Sequence, residues 1–147
     1  MESPYRREDS AGYLTNWTAR LFQRALERRL KGGGAGSMPV FFALLNEGPL
    51  SQSALARWAA VEQPTMANTL NRMERDGLIS RAPDPADGRS AIVSLTRGGR
   101  QLALDSMKVA REVNALGLSA LKPAERDVYL DMIRRIAAVL DADGAQS

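Results

Sequence analysis

The chain has 147 residues, of which 44% are hydrophobic and 25% charged, and this composition is typical of a soluble globular protein rather than a disordered or fibrous one. It contains neither cysteine nor histidine, which excludes disulfides, thiolate metal sites and thiol-based redox switches and removes the commonest metal ligand and general base. The formal net charge of +3 permits a polyanionic partner without requiring one.

The chain is predicted to begin with two helices. Apolar residues recur at helical spacing over residues 12–31, which predicts a long first helix. The glycine-rich linker at residues 32–36 must end this helix, because glycine is costly in a helix interior. Ser37 is a candidate N-cap for a second helix, which has Pro39 in its first turn and ends at Gly48.

Two short helices and a hairpin are predicted next. Ser51 is a candidate N-cap for a helix over residues 52–60, and Pro64 opens another that Gly77 terminates. Residues 78–81 and 91–95 are predicted strands, and the segment between them is rich in turn formers. Two long amphipathic helices follow, beginning after Thr96 and at Pro123.

This order predicts a mainly α protein with a small β-hairpin wing, in which a winged helix-turn-helix lobe carries N- and C-terminal dimerisation helices. We place a dimerisation helix and linker in residues 1–36, the DNA-binding lobe in 37–96 and further dimerisation helices in 97–147. The terminal helices are amphipathic and too numerous for so small a lobe to cover. They are expected to pack on a second copy, the alternative being a bundle within one chain.

No segment of the sequence has the length or pattern of a membrane anchor. The longest apolar run, residues 40–45, is far short of the roughly 20 residues that a membrane helix needs. Residues 1–10 are charged and lack the apolar centre of a secretory signal. We therefore expect a cytoplasmic protein with no membrane partner.

The helix that begins near Pro64 has the pattern of a recognition helix. Met66, Leu70 and Met73 form a stripe that faces the core, while polar side chains capable of touching base edges and phosphates occupy another face. Amides can pair with adenine and a guanidinium with guanine in the major groove. The alternative is an ordinary solvated helix face. The candidates on this helix are Gln63, Thr65, Asn68, Thr69 and Arg72.

The predicted hairpin offers a second group of candidates. Arg81, Arg89 and Ser90 are assigned to a wing tip that could reach a minor groove or its phosphates. Asp84 and Asp87 would repel phosphate, so we assign them to turn formation and to holding the arginines in place. The alternative is a hairpin whose charges only keep it soluble. Further candidates lie at the start of the preceding helix, namely Ser51, Gln52 and Ser53.

Several segments resemble the MarR family of bacterial transcriptional regulators. The resemblance lies in residues 48–56 (GPLSQSALA), 63–79 (QPTMANTLNRMERDGLI), 84–89 (DPADGR), 95–100 (LTRGGR) and 121–126 (LKPAER). The match runs from about residue 15 to residue 140. Two positions depart from the family pattern, since Asn68 and Gly88 stand where arginine is frequent, and cysteine-based peroxide sensing is impossible here.

The resemblance implies a homodimer that binds a pseudo-palindromic double-stranded DNA operator as a repressor. It also implies release or rearrangement when a small aromatic or phenolic effector binds. Arg20 or Arg57 could meet a carboxylate of such a ligand. The apolar candidates for this pocket, which are alternatively plain core, are Tyr13, Trp17, Met38, Phe41 and Phe42.

Two other functions are compatible with the residues. An enzyme would depend on carboxylate pairs such as Asp84 with Asp87, but these occur at turns, where acids are commonly structural. We expect no enzymatic activity, no cofactor and no metal site. The remaining alternative is a winged-helix protein-interaction module without specific DNA binding.

Overall fold

The computed structural model describes residues 4–31 and 34–146. These residues form six α-helices, three short strands and two 3-10 turns. In chain order they are a 3-10 turn at Arg7–Asp9, α1 at Ala11–Arg29, a second 3-10 turn at Gly34–Ser37 (the linker turn), α2 at Met38–Glu47, β1 at Leu50–Ser51, α3 at Gln52–Ala59, α4 at Gln63–Arg75, β2 at Ile79–Pro83, β3 at Ala91–Leu95, α5 at Arg97–Leu118 and α6 at Pro123–Gly144. The predicted fold class is confirmed.

The chain divides into two compact units, the first ending at Arg111 and the second beginning at Glu112. The core of the first unit is built from α2, α3, α4, the hairpin and the part of α5 that belongs to this unit. Its fully buried large side chains include Phe41, Leu55, Leu70 and Val93, and burial of each stabilises the fold by about 1.5–3 kcal/mol. The predicted stripe on α4 lies within this core.

The wing is one strand larger than the sequence predicts. The sheet has the order β1-β3-β2, with both pairs antiparallel. Leu50 and Arg81 both pair with Val93, so β3 is the central strand. A two-residue strand such as β1 is too short to show the alternation by which strands are recognised in a sequence.

Helix ends in the first unit follow the predicted chemistry at most positions. The Ser51 hydroxyl accepts a hydrogen bond from the Ala54 amide at 3.1 Å, as an N-cap should. Gly77 has a φ of +75° after α4, the left-handed conformation expected of a helix stop. Ser37 makes no such cap with its side chain. Its backbone is helical (φ −93°, ψ −5°) and continues the linker turn, whereas an N-cap residue normally has an extended backbone.

Part of the predicted glycine linker, residues 32 and 33, lies outside the described residues, as do residues 1–3 and 147. The remainder forms the linker turn, which is largely buried. A β-carbon at Gly36 would lie 3.1 Å from Nη2 of Arg72 on α4. Gly36 therefore lets the flank of α4 approach the linker turn closely.

The second unit holds the end of α5 and the whole of α6. Lys122 donates its backbone N–H to the Glu125 carboxylate at 2.8 Å, which helps to fix the start of α6. Arg126 donates from Nε to the carbonyls of Leu118 and Leu121, at 3.1 and 3.3 Å. No described residue of α6 is buried. Of the helices in the described part of the chain, none has the length and apolar character to cross a membrane.

Candidate nucleic-acid interface

Helix α4 presents an outward face that no other element covers. Gln63, Thr65 and Asn68 are exposed, and the side chains of Gln63 and Asn68 make no hydrogen bond to any described residue. Thr69 is half-buried and donates its hydroxyl to the Thr65 carbonyl at 3.2 Å. The two free amides are therefore available to a partner with donor and acceptor groups.

The start of α3 is half-buried and partly engaged in capping. The hydroxyl oxygens of Ser51 and Ser53 lie 3.2 Å apart, so the two serines satisfy each other as well as the helix end. The side chain of Gln52 makes no hydrogen bond within the described residues. Gln52 is thus the best placed of the three to contact an external partner.

The wing tip is shaped by its two aspartates. Asp84 accepts a hydrogen bond from the Ala86 amide at 2.9 Å, and Asp87 accepts one from the Arg89 amide at 3.0 Å. The Ser90 amide donates to the Asp87 carbonyl at 3.0 Å, closing the turn. These bonds confirm the predicted role of both acids in turn formation.

The aspartates do not hold the arginine side chains. Over the described residues, neither carboxylate bonds to a guanidinium, and the Arg89 side chain is exposed without a partner. That part of the prediction is wrong, because Oδ1 of each aspartate accepts the backbone amide two residues ahead and neither carboxylate reaches a guanidinium of a described residue. Arg89 is consequently a free cation at the tip.

Arg81 is not at the tip, contrary to the sequence prediction. It lies in the middle of β2, and its side chain is only 23% exposed. Its Nη2 donates to Oδ1 of Asn71 at 2.8 Å, and its Nε lies 3.7 Å from Oε2 of Glu74. The guanidinium therefore binds α4 and is directed away from the tip.

Three polar residues of α4 escaped the sequence analysis. Asn71 and Glu74 contact the Arg81 guanidinium. They lie three residues apart and therefore share one flank of the helix, and this spacing is the signal that could have identified them. Arg75 is exposed at the helix end, with Nε 3.3 Å from Oδ1 of Asp76. Arg72 is exposed on the opposite flank, without a hydrogen bond or ion pair to any described residue.

Over the described residues, the predicted apolar effector residues fall into one group in or against the core and another exposed on α1. Met38 and Phe41 are buried in the core, and Phe42 packs against it. Tyr13 and Trp17 are 42% and 49% exposed. They border a shallow cavity of about 150 Å³ together with Arg7, Glu8 and Leu14.

The separation follows from the directions in which the side chains point. Met38 and Phe41 lie on the inward face of α2, whereas the amino-terminal half of α1 turns its aromatic residues to solvent. Arg20 and Arg57 are exposed. At the cavity, the nearby Tyr13 hydroxyl and then the Glu8 carboxylate, which accepts from Nε of Arg7 at 3.2 Å, raise the pKa of Arg7.

Known proteins that are similar in sequence to this chain are transcriptional regulators. The MarR family model matches residues 38–91. The transcriptional repressor NicR of Pseudomonas putida is 34% identical over 101 residues, which are 69% of this chain and 62% of NicR. The match thus spans less than two thirds of NicR. An HTH-type transcriptional regulator of Mycobacterium bovis is 32% identical over 98 residues, covering 67% of this chain and 68% of that protein.

A solved structure extends the likeness beyond the segment matched in sequence. BpsR of Bordetella bronchiseptica superposes with a TM-score of 0.82 at 24% identity, covering 92% of this chain and 98% of BpsR. The two chains therefore share a fold. The DNA binding of BpsR is regulated by 6-hydroxynicotinic acid.

Proposed function

We propose that this chain, which belongs to the MarR family of DNA-binding transcriptional regulators, acts as a homodimeric repressor of a pseudo-palindromic operator. Members of this family are not enzymes. We further propose that binding of a small aromatic ligand releases the protein from the operator. The observation that carries the proposal is the uncovered polar face of α4 beside a wing whose tip holds a free arginine. A recognition helix in the major groove with a wing alongside needs this combination.

Each part of the interface receives a role in the proposal. Gln63, Thr65 and Asn68 read base edges, because an amide can bond adenine through two contacts, and the Thr69 methyl group contacts thymine. Arg72 pairs with guanine, as a guanidinium can in the major groove, and Arg89 contacts phosphates, which adds affinity with little sequence preference. The small polar residues at the start of α3 and in the wing make further contacts to the sugar-phosphate backbone of the DNA. These residues are Ser51, Gln52, Ser53 and Ser90.

The homodimer is proposed from apolar surface that the chain leaves exposed. On α1 these side chains are Tyr13, Leu14, Trp17 and Leu21, and on α6 they are Val128, Tyr129, Met132, Ile136, Val139 and Leu140. Contiguous apolar surface of this kind usually marks an association site. A second copy would bury both helices and place two α4 helices on successive half-sites about one DNA turn apart.

The effector is proposed to be a small aromatic molecule with an acidic group. Support comes from BpsR, which responds to 6-hydroxynicotinic acid, and from the pairing of aromatic and cationic residues on α1. Tyr13 and Trp17 would pack on the ring, and Arg20 or Arg57 would meet the acidic group. Since Met38 and Phe41 are core residues, the second copy would complete the pocket.

The proposal is tested by titrating a labelled duplex, taken from directly upstream of the gene, at several salt concentrations. We expect discrete binding that resists unrelated competitor DNA and weakens steeply with salt, as several phosphate contacts require. Analytical ultracentrifugation should give a dimer, and 6-hydroxynicotinic acid should lower the affinity. Weak binding without sequence preference, even to a pool of random duplexes, would favour a protein-interaction module.

A further inference from the structure

Arg81 occupies a position on the wing that faces the protein. Side chains alternate along a strand, and Arg81 shares a face of β2 with the buried Ile79, whereas Ser80 and Ala82 are exposed. The pairing of Arg81 with Val93 fixes this register. The side chain is therefore directed by the sheet onto the flank of α4.

On that flank two acceptors lie one helical turn apart. Asn71 accepts from Nη2 at 2.8 Å, and the Glu74 carboxylate lies 3.7 Å from Nε. The Nε atom is buried and has no hydrogen bond within the described part of the chain, so the carboxylate provides charge compensation without a full bond. The planar fork of a guanidinium suits two acceptors at this spacing.

This contact is placed where it controls the direction of the wing. The tip lies about four residues beyond Arg81, or about 14 Å at roughly 3.4 Å per residue. A rotation of about 10° at the base would move the tip by about 2 Å, which is enough to break a hydrogen bond at Arg89. The buried Ile79 and Val93 attach the base of the wing to the core, and the Arg81 contact adds a second attachment on the flank of α4.

We propose that Arg81 is a positioning residue that locks the wing onto the recognition helix through Asn71 and Glu74 and does not itself contact DNA. The expected effect on operator affinity rests on the proposed DNA binding, but the contact between Arg81 and α4 exists in the free protein and can be tested without DNA. Arg89 differs in having no internal partner, and it therefore provides the matched control.

The lock is tested first without DNA, by hydrogen–deuterium exchange of the wing amides. Arg81→Ala should speed exchange at the amides of residues 80–82 and 91–94 while the far-ultraviolet circular dichroism of the helices stays unchanged. Asn71→Ala should produce a smaller increase in the same direction. Arg89→Ala should leave exchange at these strands as in the wild type. Unchanged wing exchange in Arg81→Ala would overturn the proposal, whatever the protein binds.

Operator affinity then separates positioning from phosphate contact. Arg81→Ala should weaken binding on the order of tenfold with the salt dependence unaltered, because no phosphate contact is lost. Arg89→Ala should reduce the slope of log affinity against log salt by about one. The Asn71→Ala, Arg81→Ala double variant should bind no worse than Arg81→Ala alone. A reduced salt slope in Arg81→Ala, or fully additive losses in the double variant, would contradict the assignment.

Discussion

Replacing Gly99 by alanine should destabilise the protein at the junction between the wing and α5. Gly99 is buried in the first turn of α5, and a β-carbon there would overlap the carbonyl oxygen of Leu78. That carbonyl accepts the Thr96 amide at 3.1 Å. The Thr96 hydroxyl in turn accepts the Gly99 amide at 3.0 Å and donates to the Gly77 carbonyl at 2.6 Å. The new methyl group must therefore displace a backbone segment that several hydrogen bonds hold.

The expected loss follows from those contacts. A backbone hydrogen bond contributes about 1 kcal/mol, loss of an N-cap costs about 1 kcal/mol, and forcing a methyl group into filled space adds about 1–3 kcal/mol. Because these terms overlap, we expect a decrease of about 3 kcal/mol in the free energy of unfolding. At about 2–4 °C per kcal/mol, Tm should fall by about 6–12 °C.

The neighbouring Gly98 supplies the control. It is exposed, and a β-carbon there would find its nearest neighbour, the Thr96 hydroxyl, at 4.0 Å. Gly98→Ala should raise stability by about 0.5–1 kcal/mol, since alanine favours the helix. Both variants should be unfolded in urea at the same protein concentration and followed by circular dichroism. A Gly99→Ala midpoint equal to that of the wild type or of Gly98→Ala would refute the reasoning.

Three further predictions concern Ala60, Ser106 and the pair Asn68 and Arg89. Ala60, between α3 and α4, has a φ of +54°; glycine there should stabilise the protein by about 0.5–1 kcal/mol, and a loss on urea unfolding would contradict this. Ser106 is 1% exposed, and its hydroxyl lacks a partner among the described residues; Ser106→Ala should therefore raise stability by about 1 kcal/mol, which calorimetry can check. Asn68→Ala should relax base preference while Arg89→Ala weakens all duplexes alike; equal losses on operator and random DNA for both variants would remove the division of roles.

The order of elements could be predicted from the sequence because each rests on local chemistry. Met66, Leu70 and Met73 define α4 by spacing, and Ser51 and Gly77 mark helix ends by their capping preferences. These signals depend only on neighbours along the chain. The same information found the hairpin but not β1, which exists only through its pairing with β3.

The site was less predictable because it depends on direction and on distant contacts. Arg81 was placed at the tip, although the register of β2 directs it onto Asn71, ten positions earlier in the chain. Met38 and Phe41 are apolar and aromatic like a pocket lining and lie in the core, so their place in an effector pocket stays a prediction that depends on the second copy. Composition and local spacing reveal neither the direction of Arg81 nor the burial of Met38 and Phe41, because both depend on how α2, α4 and the wing pack together.

The most direct test of the central claim is selection of bound sequences from a pool of random duplexes by the wild-type protein, with Asn68→Ala selected in parallel. We expect a pseudo-palindromic consensus whose half-sites are centred about 10 base pairs apart, with preference lost in Asn68→Ala at one position of each half-site. Enrichment of no sequence by the wild-type protein, or an identical consensus from both proteins, would contradict it.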